Sequence, residues 1–276
     1  MEKHILKFRL KKRLAEAMMI LGMIGLMVGL IGLINDFPQI LLVTLVTTAL
    51  ILILLGFSNF SSLKDRFKAD FLDDLLSSHV SKNVYDPHHG MTEKQVYDSL
   101  LLPRNLSIKA YDMTAGAFKN IAFISSDIII NNEENNVFFG RLFMFEFNRH
   151  FQATTIIQPS AQKPFERTLK RHEALEAKLP LDYELYTSHH NQAKNLLNDA
   201  FVNALKALDD IHKKRISISL NHTTAYLAIQ DMKKTFEMRM FRPINHKELL
   251  LYAQDMALIQ QFIFAIHKNP KNFELE

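Results

Sequence analysis

Cysteine is absent from the 276 residues, so disulfides, zinc-thiolate sites and thiol nucleophiles are excluded, while the redox compartment stays open. Tryptophan is absent too. The 21 phenylalanines and 7 tyrosines alternate along short runs, as strand core residues do and a base-stacking platform does not. Glycine is scarce, at 8 residues, and its one close cluster lies inside an apolar run. No phosphate-binding loop and no Gly-x-Ser-x-Gly nucleophile elbow can be read. A net charge of +4 and a pI near 9.1 would speak for nucleic acid only if the basic residues shared one face. Instead, the densest group (Lys7, Arg9, Lys11, Lys12, Arg13) directly precedes the first apolar run. Nucleic acid is therefore not an expected partner, and no cofactor is implied.

Charge is missing from 17–34 and again from 37–60, with only Asn35 and Asp36 between the two runs. At 1.5 Å per residue, an 18-residue helix covers roughly 27 Å, close to the bilayer's hydrocarbon core. Each run is long enough to span once. The short link makes the pair antiparallel, and Pro38 suits a first helical turn, where no donor is lost. The expectation is a transmembrane hairpin over 17–60, with helices at about 17–34 and 39–57. A basic segment, 1–16, precedes it and a domain, 61–276, follows. The link carries no Lys or Arg, whereas Lys11, Lys12 and Arg13 flank one outer end and Lys64, Arg66 and Lys68 the other. The positive-inside rule then puts both termini in the cytoplasm of a multi-pass cell-membrane protein, with those six side chains at the lipid headgroups. No small-residue cleavage pattern supports a signal peptide. Gly22, Gly25, Gly29 and Gly32 form a ridge for close helix packing. Its nearest partner is the second span, where Thr44, Thr47 and Thr48 are available for interhelical hydrogen bonds; homo-oligomerisation is the sharper reading.

Beyond the hairpin the pattern predicts an α+β domain. Leu63, Phe67, Phe71 and Leu75 stripe an amphipathic helix that packs on the domain behind it, and Thr92 caps a short helix ending before Pro103. From Ser107 to Gln158, five short alternating runs read as an antiparallel meander, with Gly116 in the first gap and residues 131–136 in the third. Residues 163–179 have helical composition, and DYELYT reads as a strand. NQAKNLLNDAFVNALKAL reads as one helix with Leu196, Ala200, Ala204 and Leu208 along a face. RISISL and TAYLAIQ form a hairpin about Asn221 and His222. A last helix starts at Asn245, capped with Glu248, and ends at His267.

The stretch VFFGRLFMFEFNRHF places Val137, Phe139, Phe143, Phe145, Phe147 and Phe151 on one side of a strand, and Glu146 and His150 on the other. Four residues along a strand separate that acid and base by about 13 Å. The reading is therefore a core strand. Phe143, Phe145 and Phe147 anchor it, Gly140 sits at a bulge or close backbone contact, and Arg141 and Arg149 lie where the strand reaches the core's edge.

These residues carry a resemblance. FFGRLFMFEFNRHFQATTIIQP, YDPHHGM, KAYDMTAG, DYELYTSHHNQAKNLLNDAFVNALKAL and RISISLNHTTAYLAIQ, in this order, resemble the bacterial membrane family known as domain of unknown function 3137. The likeness extends over most of 61–267 and includes the two preceding spans. It implies a membrane-anchored cytoplasmic domain and assigns no activity or catalytic residue. TSHHNQA departs from the pattern in lacking an acidic residue before its helix.

Candidate chemistry is sparse. His88, His89, His189 and His190 supply two imidazole pairs for a divalent metal, although adjacent residues rarely ligate one ion together, and HEALE lacks the second histidine of a metalloprotease helix. Glu146, His150 and Asp112 are the acid and base candidates of a membrane-bound hydrolase or other enzyme. Against it stands a membrane-anchored interaction or regulatory module, with the bilayer and a protein as its partners. The second reading is the leading expectation.

Overall fold

The computed structural model describes residues 2–76, 80–104, 106–132, 136–162, 168–231, 238–244 and 246–274. It divides into two units, Met1–Asp74 with Phe236–Glu248, and Leu75–Thr235 with Leu249–Glu276.

The first unit is built on α1 (Glu2–Ile34) and α2 (Gln39–Leu76). Among the described residues, two helices are thus long and apolar enough to cross a membrane. Both extend past the expected spans because neither 2–16 nor 57–76 holds a glycine or proline to stop them. The expected amphipathic helix is the end of α2. Phe67 of its stripe meets α1, edge-on to Phe8 at 5.2 Å. Asp36 adopts φ 54°, and the Phe37 amide returns to the Gly32 carbonyl at 2.9 Å, which closes the link.

A Cβ on Gly22 would come 2.7 Å from the Ala49 carbonyl, and on Gly29 2.9 Å from Val46, so the ridge faces the chain's own α2. Thr44 and Thr48 donate to the carbonyls of Ile40 and Thr44 at 2.8 Å, within their own helix and not across to α1.

Among the described residues of the second unit, nine strands make one antiparallel sheet: β1 (Ser81–Asp86), β2 (Ser107–Phe118), β3 (Ile121–Asn131), β4 (Asn136–Glu146), β5 (Thr155–Pro159), β6 (Lys170–Arg171), β7 (Tyr183–Thr187), β8 (Ile216–Asn221) and β9 (Thr224–Gln230). Their order is β1-β2-β3-β4-β9-β8-β5-β7-β6. With α3 (Glu93–Asp98), α4 (Glu173–Glu176), α5 (His190–Leu196), α6 (Asp199–His212) and α7 (His246–His267), the unit is α+β, as expected. The Thr92 capping box with Gln95 is present at α3, and β8 and β9 form the expected hairpin, turning at His222 with φ 52°. Asn245, the expected cap of α7, lies outside the described residues.

Several expectations are corrected. The meander's first two gaps do not exist: β2 runs through Gly116, which pairs with Phe123, and the chain turns at Lys119 instead, with φ 57°. The irregularity in β2 is a β-bulge at Asp112, and Gly116 pairs in unbroken register within Thr114–Phe118. Nor does β5 follow β4 in space. Residues 147–151 cross the end of the β8-β9 hairpin, the Phe147 and Phe151 amides donating to the Thr223 and His222 carbonyls at 2.8 and 2.7 Å, and deliver β5 to the far side of β8. In the stretch of helical composition only Glu173–Glu176 is helical, 170–171 is strand, and 163–167 lie outside the described residues. The single helix over 191–208 is two helices. Asn198 breaks it by accepting from the Phe201 amide at 3.0 Å, and the buried face of α6 is Phe201, Val202, Leu205 and Leu208, while Ala200 is exposed.

Both faces of β4 are covered, so its middle is buried on alternate and successive residues alike. Phe143 and Phe145 stack with Phe118 and Phe123 on one face, where α6 and α7 pack through Phe201 and Phe262 at 5.1 Å. Leu142 and Met144 join Ile128, Ile130 and Tyr226 on the other, beneath Met91, Val96 and Leu102. Each such side chain contributes roughly 1.5–3 kcal/mol by leaving water. Val137 remains exposed at the strand's start. Gly140 is a close backbone contact, since a Cβ there would stand 2.1 Å from the Ile229 carbonyl.

Candidate functional site

Register places polar residues side by side across three strands. Tyr111 of β2 pairs with Asp127 of β3, which pairs with Arg141 of β4; one row on, Thr114 pairs with Ser125. All five therefore share the sheet face covered by α7. Arg141 donates from Nε to Asp127 Oδ1 at 2.7 Å and from Nη1 to the Tyr252 hydroxyl at 2.9 Å, with its guanidinium 5.5 Å from the Tyr252 ring. Asp127 and Arg141 are 4% and 8% exposed, which corrects the expectation that Arg141 sits at the edge of the core. Tyr252 of α7 covers the pair.

Burial opposes the Arg141 charge, but Asp127, then Tyr252 and Asp112, outweigh it, so the guanidinium is held well above its ordinary range. Burial likewise pushes the Tyr252 phenol up, against the pull of Arg141, and keeps it a neutral donor or acceptor. Asp112 joins the margin of this cluster. The bulge at φ 54° turns it inward, and the Tyr85 hydroxyl donates to it at 2.5 Å. Among the described residues, Asp127 Oδ2, Thr114 Oγ1 and Ser125 Oγ are buried without a hydrogen-bond partner. Asp127 Oδ1, Arg141 and the Tyr252 hydroxyl are engaged with one another, an arrangement that ties α7 to the sheet.

The other acid and base candidates are not brought to Asp112. Glu146 ends β4, exposed, five residues and about 17 Å along the strand from Arg141. His150 is exposed in the crossover segment, its carbonyl accepting from Glu274. His88 and His89 donate their amides to Asp86 Oδ1 at 2.9 and 3.2 Å, and the His89 ring meets Asp86 Oδ2 at 2.7 Å. These contacts, the His88 amide first, hold the Asp86 carboxyl below its usual range. His189 caps α5 without a side-chain bond, and His190 Nδ1 lies 3.3 Å from Nδ1 of His172. Among the described residues no group of three or more His, Asp or Glu side chains is arranged to hold a metal ion. Of the expected headgroup contacts, Lys11, Arg13 and Arg66 are exposed and Lys64 half-buried, whereas Lys12 and Lys68 turn inward, Lys12 onto Glu16.

Residues 136–268 match the family described as "Protein of unknown function (DUF3137)". The match covers just under half of the chain, and over those residues the chain is similar to the DUF3137 family. The DUF3137 match begins at β4 and ends just past α7, so it holds Arg141 and Tyr252, while Asp127 and the motifs YDPHHGM and KAYDMTAG precede it. No curated protein matches the chain. Among solved structures, the mycobacterial trehalose monomycolate transport factor A, TtfA, is similar at a TM-score of 0.47 and 10% identity, covering 76% of this chain and 99% of that one. Two features of this protein were missed from sequence: the Asp127-Arg141-Tyr252 cluster, whose only local sign was an arginine on an apolar face, and His172 beside His190, for which the sequence gives no sign.

Proposed function

We infer that this protein is a membrane-anchored interaction module, with the α1-α2 hairpin in the bilayer and the sheet unit in the cytoplasm. The observation that carries the reading is the outer surface of the hairpin. Leu21, Ile24, Leu30, Leu41, Val43 and Leu54 are among its exposed apolar side chains, and only 17% of each apolar window is buried within the protein. In water such a surface would be an aggregation site; in lipid it is at home. Residues 1–16 and 61–276 then flank a hairpin over 17–60. Exposed Lys11, Arg13 and Arg66 stand at the ends that the positive-inside rule assigns to the cytoplasm. Because the glycine ridge is occupied by α2, the hairpin packs within one chain and leaves recruitment of a protein partner to the sheet unit.

The natural absence of cysteine makes the test direct. With Asp36→Cys and Lys271→Cys made separately, an impermeant thiol reagent applied to intact cells labels position 36, and position 271 only after permeabilisation. Labelling of 271 alone overturns the orientation, and recovery of the chain in the soluble fraction overturns the anchor.

A further inference from the structure

We propose that His172 and His190 bind a divalent transition metal of the zinc class at the β6-β7 edge of the sheet. Their Nδ1 atoms are 3.3 Å apart and their ring centroids 5.2 Å apart. Two nitrogens each about 2.0–2.1 Å from a tetrahedral zinc ion stand about 3.3–3.4 Å from one another, so the rings already hold the edge of a coordination tetrahedron. Two neutral imidazoles in this pose either share one proton between facing Nδ1 atoms or, with both lone pairs free, share a metal ion.

The two side chains are placed by ordered backbone. The His172 amide donates to the Leu185 carbonyl at 2.9 Å, and His190 opens α5 three residues after β7 ends. Arg171, next to His172, ties β6 to α4 and β7 through Glu176 and Glu184, at 3.0 and 2.9 Å, and Glu176 also accepts from the Leu185 amide at 3.1 Å. Those carboxylates are engaged by Arg171 and are not ligands. His172 is half-buried and His190 exposed, so an ion has a path in. With two protein ligands the remaining positions fall to water or to a carboxylate or imidazole of a docking partner, which makes the ion exchangeable, unlike a four-ligand structural zinc.

The test titrates zinc into the full chain in mild detergent near neutral pH by calorimetry. One equivalent binds in the micromolar range. His172→Ala and His190→Ala each weaken binding about tenfold or more, and His88→Ala leaves it unchanged. Absence of a one-equivalent event, a millimolar constant, or binding that survives both substitutions overturns the site. A second measurement needs no variant: zinc protects His172 and His190 from acylation by diethyl pyrocarbonate while the exposed His88 stays reactive. Equal labelling of all three with and without zinc overturns it as well.

Discussion

Asp127 Oδ1 and Arg141 Nε stand 2.7 Å apart across the β3-β4 ladder, each side chain more than nine-tenths buried. A buried pair of this kind is stabilising chiefly in the sense that neither partner can be left alone. Arg141→Met therefore costs about 3–5 kcal/mol by stranding the Asp127 carboxylate, whereas Asp127→Leu combined with Arg141→Met recovers most of the loss. Denaturant unfolding of the three variants checks this. A single substitution costing less than about 1 kcal/mol would show the pair to be solvated and the cluster open.

At Gly140 the constraint is steric. An added Cβ would meet the Ile229 carbonyl at 2.1 Å and Gln230 Cα at 2.9 Å, both backbone atoms of the paired strand β9, so no rotamer relieves the contact. Gly140→Ala is expected to cost about 1–3 kcal/mol or more by forcing β4 and β9 apart. Hydrogen exchange locates the damage: amides of 225–229 lose protection, while those of β1 do not. Uniform protection in the variant would contradict the close approach.

Local features were legible and long-range ones were not. Thr92 and Gln95 lie three apart and announce their capping box, and the β8-β9 hairpin is signalled by the turn residues between its strands. The position of β5 depends on amides at 147 and 151 finding carbonyls at 223 and 222, a relation invisible to periodicity. Arg141 is the same case: its partners are 14 and 111 residues away, so its placement on an apolar face could only be read as an edge. Of the candidate site residues, Asp112 lies at the margin of the buried cluster, while Glu146 and His150 stand exposed outside it. The division between α5 and α6 was missed because apolar spacing continues through Asn198, whose capping role shows only once the Phe201 amide turns toward it.

That cap supplies a modest and specific prediction. Asn198 ends one helix and starts another, so Asn198→Ala removes the acceptor for the Phe201 amide and is expected to cost about 1 kcal/mol, with Asn198→Asp restoring it. Thermal unfolding reads the difference. An unchanged midpoint for the alanine variant would mean that the packing of Phe201 and Leu205, and not the cap, sets where α6 begins.

His267 couples stability to pH. Burial, then the nearby Arg149 guanidinium, lowers its pKa from the ordinary 6.5, and Arg149 also donates to the His267 carbonyl at 3.2 Å. The unfolded chain thus takes up this proton more readily than the folded one. The group costs nothing above about pH 6.5, and its penalty grows as pH falls from there through the lower folded-state value. The Glu176 carboxyl, held below its ordinary 4.5 by Arg171 above all, loses its contribution only at still lower pH, so the two windows separate. Between pH 7.5 and 5.5, wild type is expected to lose more unfolding free energy than His267→Gln, which carries no titrating ring; the comparison is made by denaturant unfolding at each pH. Parallel pH slopes for the two proteins would show that the folded state accepts the proton as readily as the unfolded chain, and would remove the electrostatic role assigned to Arg149.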